Sequence, residues 1–586
     1  MADYIDKHSE NVPGRFYVDS TCISCVSCHS IAPAFFKLKN SNEYSFVIRQ
    51  PATQGELEIC EEALRECPVN AIGNDGMPSD EPALRATAPL RVPDPFNAAI
   101  ARTIRKHGER IFLESSDTAT SVTFAGFADK AERIRMDLER HGVAVGDVVA
   151  LISDNSVDLA CALLALLSHG YIAMPLNPKL TTVEMKTLLA HSDARLILAE
   201  TEGGSAGEIG IPTILLRDLG VAAVAETARE PGDGIMDGPG GGLLIYTSGT
   251  TGNPKGVLLS GANIAANVEF ACAALGLDQH HVTLCLLPLF HTFAFISDLA
   301  TMAFCGGKAA IIRTFDLARI SEIGIAIRAS GVRSFSAVPL IFEMLIRMDA
   351  DLAGSGLRFC VSGAAPLSEK IRLGFKERFG AEIIPAYGLT ECTCFCTISQ
   401  VGGAVEKSAG RPAGVEILIL DDSERPLPPM ETGEIAVKGP SVFAGGYFRY
   451  DLLCYTEHDP SLFKTGDLGH RDSHGNIYVT GRKKNMVIRG GEKVYVEDVD
   501  ACIKDLEGVR DVATVKSGDG SIESVVCFLV PEKGGNLDLQ RIRRSILERI
   551  GALKCPDRFL IVDRIPRTST NKVKIRELAE AAGNAA

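Results

Sequence analysis

The stretch Tyr246-Thr-Ser-Gly-Thr-Thr-Gly-Asn-Pro-Lys-Gly256 constrains this chain more than any other. It follows a short apolar run, 243–245, and puts hydroxyls, glycines and one lysine into a single loop. Such a loop can wrap a polyphosphate: glycines let the backbone come close, N–H and O–H groups donate, and Lys255 supplies charge. It is not the Walker A pattern, because Gly252 is followed by Asn253-Pro254 and no Gly-Lys-Ser/Thr unit occurs. Taken alone, the stretch also reads as a plain turn rich in glycine and serine.

At 586 residues the chain exceeds what one core can serve, so two to four domains are expected. Apolar content of 46% with 23% charged residues suits a globular protein rather than a disordered one. A net charge of −14 with no basic stripe argues against nucleic acid as a main partner. Apolar runs such as 159–167 are too short to span a bilayer, so no transmembrane segment is expected. The polar start Met-Ala-Asp-Tyr-Ile-Asp is not a signal peptide. Seventeen cysteines in a chain this long do not suggest a disulfide scaffold. Cys161, Cys272 and Cys305 stand in apolar segments and read as reduced core residues, which fits a cytoplasmic protein.

From 96 to about 483 strand-like runs alternate with amphipathic stretches, as in 148–152 followed by 157–168, which implies α/β layers with parallel strands. The runs 415–420 and 433–437 read as a smaller β-rich part. Beyond 483 a compact lobe follows, with runs 512–515 and 525–530 and a helical stretch 539–549. Residues 77–95, rich in Gly, Pro, Asp and Ala, read as a linker.

The first 76 residues follow another plan. Cys22, Cys25 and Cys28 form a C-x2-C-x2-C run, and Cys67-Pro68 completes the set. Three close thiolates and a distant one before proline is how bacterial ferredoxins hold a cubane cluster. Ala32 precedes Pro33 where a second cluster would need a cysteine, so one cluster is expected, and Cys25 at the middle position favours four irons over three. The rival readings are free cysteines or structural zinc, although zinc sites usually pair two CxxC units. The segment resembles small single-cluster [4Fe–4S] ferredoxins over about residues 10–76. Cys60 would fall on the same helical face as Cys67 and reads as a packing residue. Residues 1–80 hold 12 acidic and 6 basic side chains, which suits either solubility or a basic redox partner protein.

Five further motifs follow the loop in order: Tyr387-Gly388-Leu-Thr390-Glu391, Lys464-Thr-Gly-Asp467, Gly481-Arg482-Lys-Lys484, Gly490-Gly491-Glu492 and Pro566-Arg-Thr-Ser-Thr-Asn-Lys572. With the loop they resemble the adenylate-forming superfamily of acyl-CoA synthetases and AMP-binding enzymes over residues 96–580. The resemblance implies an α/β multidomain chain: an α+β ferredoxin-like domain (1–76), a linker (77–95), a large adenylation lobe with a β subdomain (96–483) and a small mobile α+β lobe (484–586). It implies attack of a carboxylate on the α-phosphorus of ATP, release of pyrophosphate, then transfer of the acyl group to a thiol.

The resemblance also implies roles. Thr247, Ser248, Gly249, Thr250, Thr251, Gly252 and Lys255 would hold the β- and γ-phosphates. Tyr387, beside Gly388, would stack on adenine, and Gly363, Ala364 and Ala365 would border its pocket. Thr390 would bond the α-phosphate and Glu391 would bind Mg²⁺. Asp467 would accept from the ribose hydroxyls with Arg482 supporting it. Lys572 would be the catalytic lysine, although Asn571 stands where glycine is usual. Lys484 would be the hinge, and Gly490, Gly491 and Glu492 would line the tunnel for CoA.

Leu287-Pro-Leu-Phe-His291 matches the segment lining the acyl pocket, with His291 as a gate or pocket residue. Relatives that activate amino acids place an aspartate there, so histidine argues against them. Phe290, Phe293, Phe295 and Phe335 favour an aliphatic or aromatic acid, a fatty acid first, unless they are plain core. With no carrier domain seen after Lys572, the expected acceptor is CoA or a separate carrier protein. Cys392-Thr-Cys394-Phe-Cys396, read as a strand, would put three thiols on one face; buried small residues and a second metal site are the alternatives. Three functions stay open: an acid–CoA ligase with a ferredoxin domain, a ligase loading a carrier protein, and an electron-transfer protein with a non-catalytic ligase body.

Overall fold

The alternation read in the sequence resolves into two large sheets. A computed structural model of the chain describes residues 8, 10–11, 16–39, 44–51, 54–69, 71–73, 96–201, 210–219, 241–247, 255–313, 320–348, 350–443, 447–448, 461–489, 492–504, 506–517, 524–532, 535, 537–567 and 573–584. The expected linker 77–95, residues 248–252, Gly490, Gly491 and Lys572 lie outside them. The chain divides into two units, Met1–Arg91 and Val92–Ala586.

In the first unit, Tyr17–Val18 pairs with Ile72–Gly73 and Phe36–Leu38 with Ser45–Val47, all antiparallel. Two helices, Ser27–Ile31 and Gln54–Arg65, complete it. Phe16, Val18, Phe35, Phe36, Val47 and Cys60 fill its core, so Cys60 packs as expected. Gly73 pairs with Tyr17, whose ring lies 2.1 Å from where a Cβ at 73 would stand, so any larger residue there would have to displace that buried ring.

In the second unit, a six-stranded sheet runs Thr213–Leu215, Leu196–Ala199, Val148–Ile152, Ile172–Leu176, Gly242–Thr247, Lys255–Ser260. A nine-stranded sheet holds Glu382–Tyr387, Phe359–Ser362, Ser334–Ala337, Val282–Cys285 and Lys308–Ile311 side by side and parallel. Helix Val157–Ser168 is apolar all round and buried at every position but Asp158, which is possible only for a helix covered on several sides. One core joins residues of both sheets to this helix and to helix Gly261–Leu275. The expected β-rich part is a four-stranded antiparallel sheet, Glu416–Leu420, Gly433–Lys438, Phe463–Arg471 and Ile477–Arg482. The last hundred residues form a hairpin, a three-stranded sheet and helices Val496–Ile503, Leu539–Ile550 and Ile575–Asn584. Among the described residues no helix is long and apolar enough to cross a membrane.

One local expectation fails. Residues 392–396 are not a strand: Thr390–Cys392 is a 3₁₀ turn, and the Cys394 N–H donates to the Cys392 carbonyl at 2.8 Å around Thr393. Thr393 has φ 68 and ψ −56, the strained γ-turn conformation. Cys392, Cys394 and Cys396 are nonetheless all buried, as the small-residue reading required.

Candidate active site

The six-stranded sheet ends in a hairpin whose strands Gly242–Thr247 and Lys255–Ser260 pair Thr247 with Lys255 across the loop 248–254. That pairing fixes the root of Lys255. Its ammonium sits 4.6 Å from the centre of the Tyr447 ring, a cation held over an aromatic face. The Tyr447 hydroxyl donates to Glu391 Oε1 at 2.8 Å. One aromatic side chain therefore joins the lysine of the loop to the carboxylate of the second motif. The Phe443 N–H donates to the Glu391 carbonyl and the Phe448 N–H to the Gly256 carbonyl, which ties Phe443 and Phe448 to the two motifs.

A second cluster forms at the end of strand Glu382–Tyr387. The Tyr387 hydroxyl donates to Asp467 Oδ2 at 2.8 Å, and Arg482 Nε lies 2.6 Å from Asp467 Oδ1. Asp467 and Arg482 are cross-strand partners in the antiparallel sheet, which is why residues fifteen apart meet. Burial, and then the adjacent Asp467 charge, push the Tyr387 phenol well above its usual pKa, so it stays a donor.

The backbone around these groups is rigidly set. A Cβ on Gly388 would lie 1.5 Å from the Cys394 carbonyl oxygen, so only glycine fits there. Ala364 has φ 65 in the left-handed region and is exposed with Ala365, while Gly363 is buried with the Phe293 ring 3.1 Å from a Cβ position. The Phe293 ring faces Phe395 edge-on at 6.2 Å, so the expected acyl segment and the residues after Glu391 share one wall. His291 caps the short helix Thr292–Ala294 and lies against Phe290, ring centres 4.6 Å apart. Phe295 and Phe335 are wholly buried, and Phe335 stacks on Phe342, so these two are core.

At the expected hinge, Lys484 sits in the turn Lys483–Asn485, where loss of hydration and then the Arg482 charge lower its pKa. Glu497 clamps this turn: its Oε1 accepts from the Arg482 N–H at 3.3 Å and from Asn485 Nδ2 at 3.0 Å. Glu492 opens a strand paired with Met486–Arg489. Arg567 and Val573, on either side of 568–572, pair as an isolated bridge, and Arg567 Nη2 holds both oxygens of Asp511 at 2.8 and 2.9 Å.

Sequence reasoning missed two supporting residues. Tyr447 is one. The other is Asn267 on helix Gly261–Leu275, whose side chain donates to the Phe395 carbonyl at 2.9 Å and to that of Cys392 at 3.4 Å, and accepts the Phe395 N–H at 3.1 Å. A buried asparagine inside an apolar helix is the mark that could have found it.

In the first unit, Ser24 and Val26 both adopt left-handed backbone, φ 58 and 70, which coils the cysteine run around itself. The Ser45 N–H points to Cys22 Sγ at 3.4 Å and the Ala71 N–H to Cys67 Sγ at 3.3 Å. Cys28 is buried near the start of helix Ser27–Ile31, and burial pushes its thiol up. No group of three or more His, Cys, Asp or Glu side chains among the described residues would hold a single ion. A cubane does not ask for that, since each of its four thiolates binds a different iron, and N–H donors to sulfur suit it. The residues present fit such a cluster.

The model of the AMP-binding enzyme family matches residues 100–448, that of the AMP-binding enzyme C-terminal domain residues 498–572, and that of the 4Fe-4S single cluster domain of ferredoxin I residues 18–74. The sulfoacetate–CoA ligase of Cupriavidus necator is 28% identical over 494 residues, covering 82% of this chain and 96% of that protein. The oxalate–CoA ligase of Arabidopsis thaliana is 28% identical over 510 residues, covering 83% and 98%. The o-succinylbenzoate CoA synthetase of Bacillus subtilis, solved with its acyl-adenylate intermediate, superposes with a TM-score of 0.72 at 26% identity over 83% of this chain and 98% of that one.

Proposed function

The chain belongs to the AMP-binding enzyme family and is an acid–thiol ligase of the AMP-forming kind, and from that premise we propose that it joins a carboxylic acid to CoA through an acyl adenylate. A carboxylate is a poor acyl donor because oxide would have to leave; an adenylate offers AMP as the leaving group instead. Charge builds on the α-phosphate during the first half-reaction, and preorganised cations and donors stabilise it there. The observation that carries the reading is the convergence of Lys255 and Glu391 on Tyr447, beside Tyr387, Asp467 and Arg482.

In this reading residues 247–255 hold the β- and γ-phosphates, Glu391 the Mg²⁺ that accompanies ATP, and Asp467 the ribose. Tyr387, with Gly363 to Ala365, takes the adenine, Thr390 the α-phosphate, and Lys572 bridges carboxylate and phosphate. The lobe 484–586 turns about Lys484 between the two half-reactions, bringing Gly490 to Glu492 to the CoA tunnel. The acid meets His291, Phe290 and Phe293; an aliphatic or aromatic acid suits that edge, with a fatty acid as the first to try. Cys22, Cys25, Cys28 and Cys67 hold one [4Fe–4S] cluster, which supplies one-electron chemistry when bound and gives the chain a place to meet a redox partner protein.

The test is AMP formation by anaerobically purified protein given ATP, Mg²⁺, CoA and a panel of acids. CoA-dependent AMP release with one acid class, lowered by about 100-fold or more in Lys572→Ala, supports the reading. AMP release that requires a carrier protein instead of CoA would replace the acceptor, and no AMP with any acid would sink the proposal.

A further inference from the structure

Behind the edge proposed for the acid lies a buried carboxyl that the ligase reaction does not use. Asp298 stands in the π-helical turn Phe295–Ala300, which continues the short helix begun at His291. Such turns carry one residue too many for an α-helix and recur at functional sites. Asp298 is 1% exposed. Its Oδ1 accepts from Ser336 Oγ at 2.8 Å and from Thr283 Oγ1 at 3.2 Å, two hydroxyls on neighbouring strands of the nine-stranded sheet. The network continues from Thr283 to Ser334 Oγ at 3.4 Å and from there to His281 Nε2 at 2.8 Å. Asp298 Oδ2 is buried and takes no hydrogen bond from the described residues.

A carboxyl in such a place costs hydration that an apolar side chain would not, so its anchoring must return something. The same turn sets Phe293: the Ser297 hydroxyl donates to the Phe293 carbonyl at 2.5 Å, and the Phe293 ring packs on Gly363. We infer that Asp298 is a positioning residue for the acid substrate, tying the π-helical turn to two strands and so fixing the His291–Phe293 edge. The inference rests on the reading of that edge as the acid site.

The protonation state decides how well the tie holds. Burial lifts the Asp298 carboxyl to about 7, against the opposing pull of the Ser336, Thr283 and Ser297 hydroxyls. The titratable groups facing it are the thiols of Cys285, Cys360 and Cys394, all raised by burial and neutral, and, through the hydroxyl chain, His281, lowered to about 4 by burial and then by Arg358 and Arg333. Asp298 is therefore the group among these that changes charge around neutrality. Ionised, the buried carboxylate carries a charge that no cation in this group offsets, and the turn loses its tight seat.

The experiment follows kcat and the KM for acid and for ATP, in wild type and Asp298→Asn, from about pH 5.5 to about pH 8.5. Asparagine keeps the shape and the acceptor but never ionises. Wild type should show the acid KM rising above neutrality, by up to about tenfold per pH unit, with the ATP KM flat. In Asp298→Asn the acid KM should be flat as well. Thermal unfolding supplies the second readout. Because the folded pKa is raised, wild type should lose stability as pH climbs from the ordinary Asp range, about 4, to about 7, and Asp298→Asn should not. Superposable acid KM profiles, with or without that stability difference, overturn the inference and leave Asp298 structural. If neither protein makes AMP with any acid, the functional reading falls and the inference with it.

Discussion

Two groups of closely spaced cysteines meet opposite fates in this chain. Cys22 and Cys25 lie on a loop with two left-handed residues that leads into the helix holding Cys28; Cys25 is exposed, and backbone N–H groups point at Cys22 and Cys67. Cys392, Cys394 and Cys396 lie behind the Glu391 motif, all buried, and burial drives the Cys392 and Cys394 thiols well above their usual pKa. Donors aimed at sulfur favour thiolates; a dry apolar wall favours thiols. Spacing alone does not make a metal site, and the surrounding backbone decides.

The sharpest break would come from iron. Wild type purified without oxygen should hold about four irons per chain. Cys22→Ser should lose nearly all of it together with the visible charge-transfer absorption, while Cys394→Ser should keep both. Iron retained in the first variant, or lost in the second, would reverse the assignment of the two groups.

The architecture was legible because alternating apolar runs dictate layers whatever holds them. The strands Val148–Ile152 and Ser524–Pro531 and the helix Leu539–Ile550 fall where the pattern put them. The 392–396 stretch was misread because its alternation is accidental: tertiary contacts to Asn267 and the close approach of Gly388 override local preference. The motif residues could be named from order and spacing, and the contacts place Tyr387, Asp467 and Arg482 together. Tyr447 carried no mark of its own and Asn267 only its place in an apolar helix, since they act through partners 56 and 125 residues away. Asp298 is a third case, a charge in an apolar run whose partners come from two other strands.

A medium effect should come from removing the asparagine that shapes the second cysteine group. Asn267→Leu leaves the Cys392 and Phe395 carbonyls and the Phe395 N–H without their partner. Buried polar groups left unpaired cost about 1–3 kcal/mol each, so the loss of unfolding free energy should exceed about 2 kcal/mol. The Glu391 loop should shift with it, raising the KM for ATP by about tenfold while the iron content stays that of wild type. Unchanged stability and KM would mean the stretch holds its shape without helix Gly261–Leu275.

The smallest effect separates the two groups by reactivity alone. Alkylation needs thiolate, and each unit that a pKa stands above the pH lowers that fraction tenfold. Cys60, pushed up to about 11 by burial and then by Glu56, is an internal standard: at pH 8 about one molecule in a thousand is ionised there. Cys392 and Cys394 combine a raised pKa with burial, so in native protein they should be labelled no faster than Cys60. Cys25, exposed on its loop, should be labelled first once iron has been chelated away. Peptide mapping after a short pulse of iodoacetamide, with and without chelator, reads all of these positions at once. Early labelling of Cys394 would show that the wall behind Glu391 opens in solution, and the contrast between a dry group and one open to solvent would then rest on iron alone.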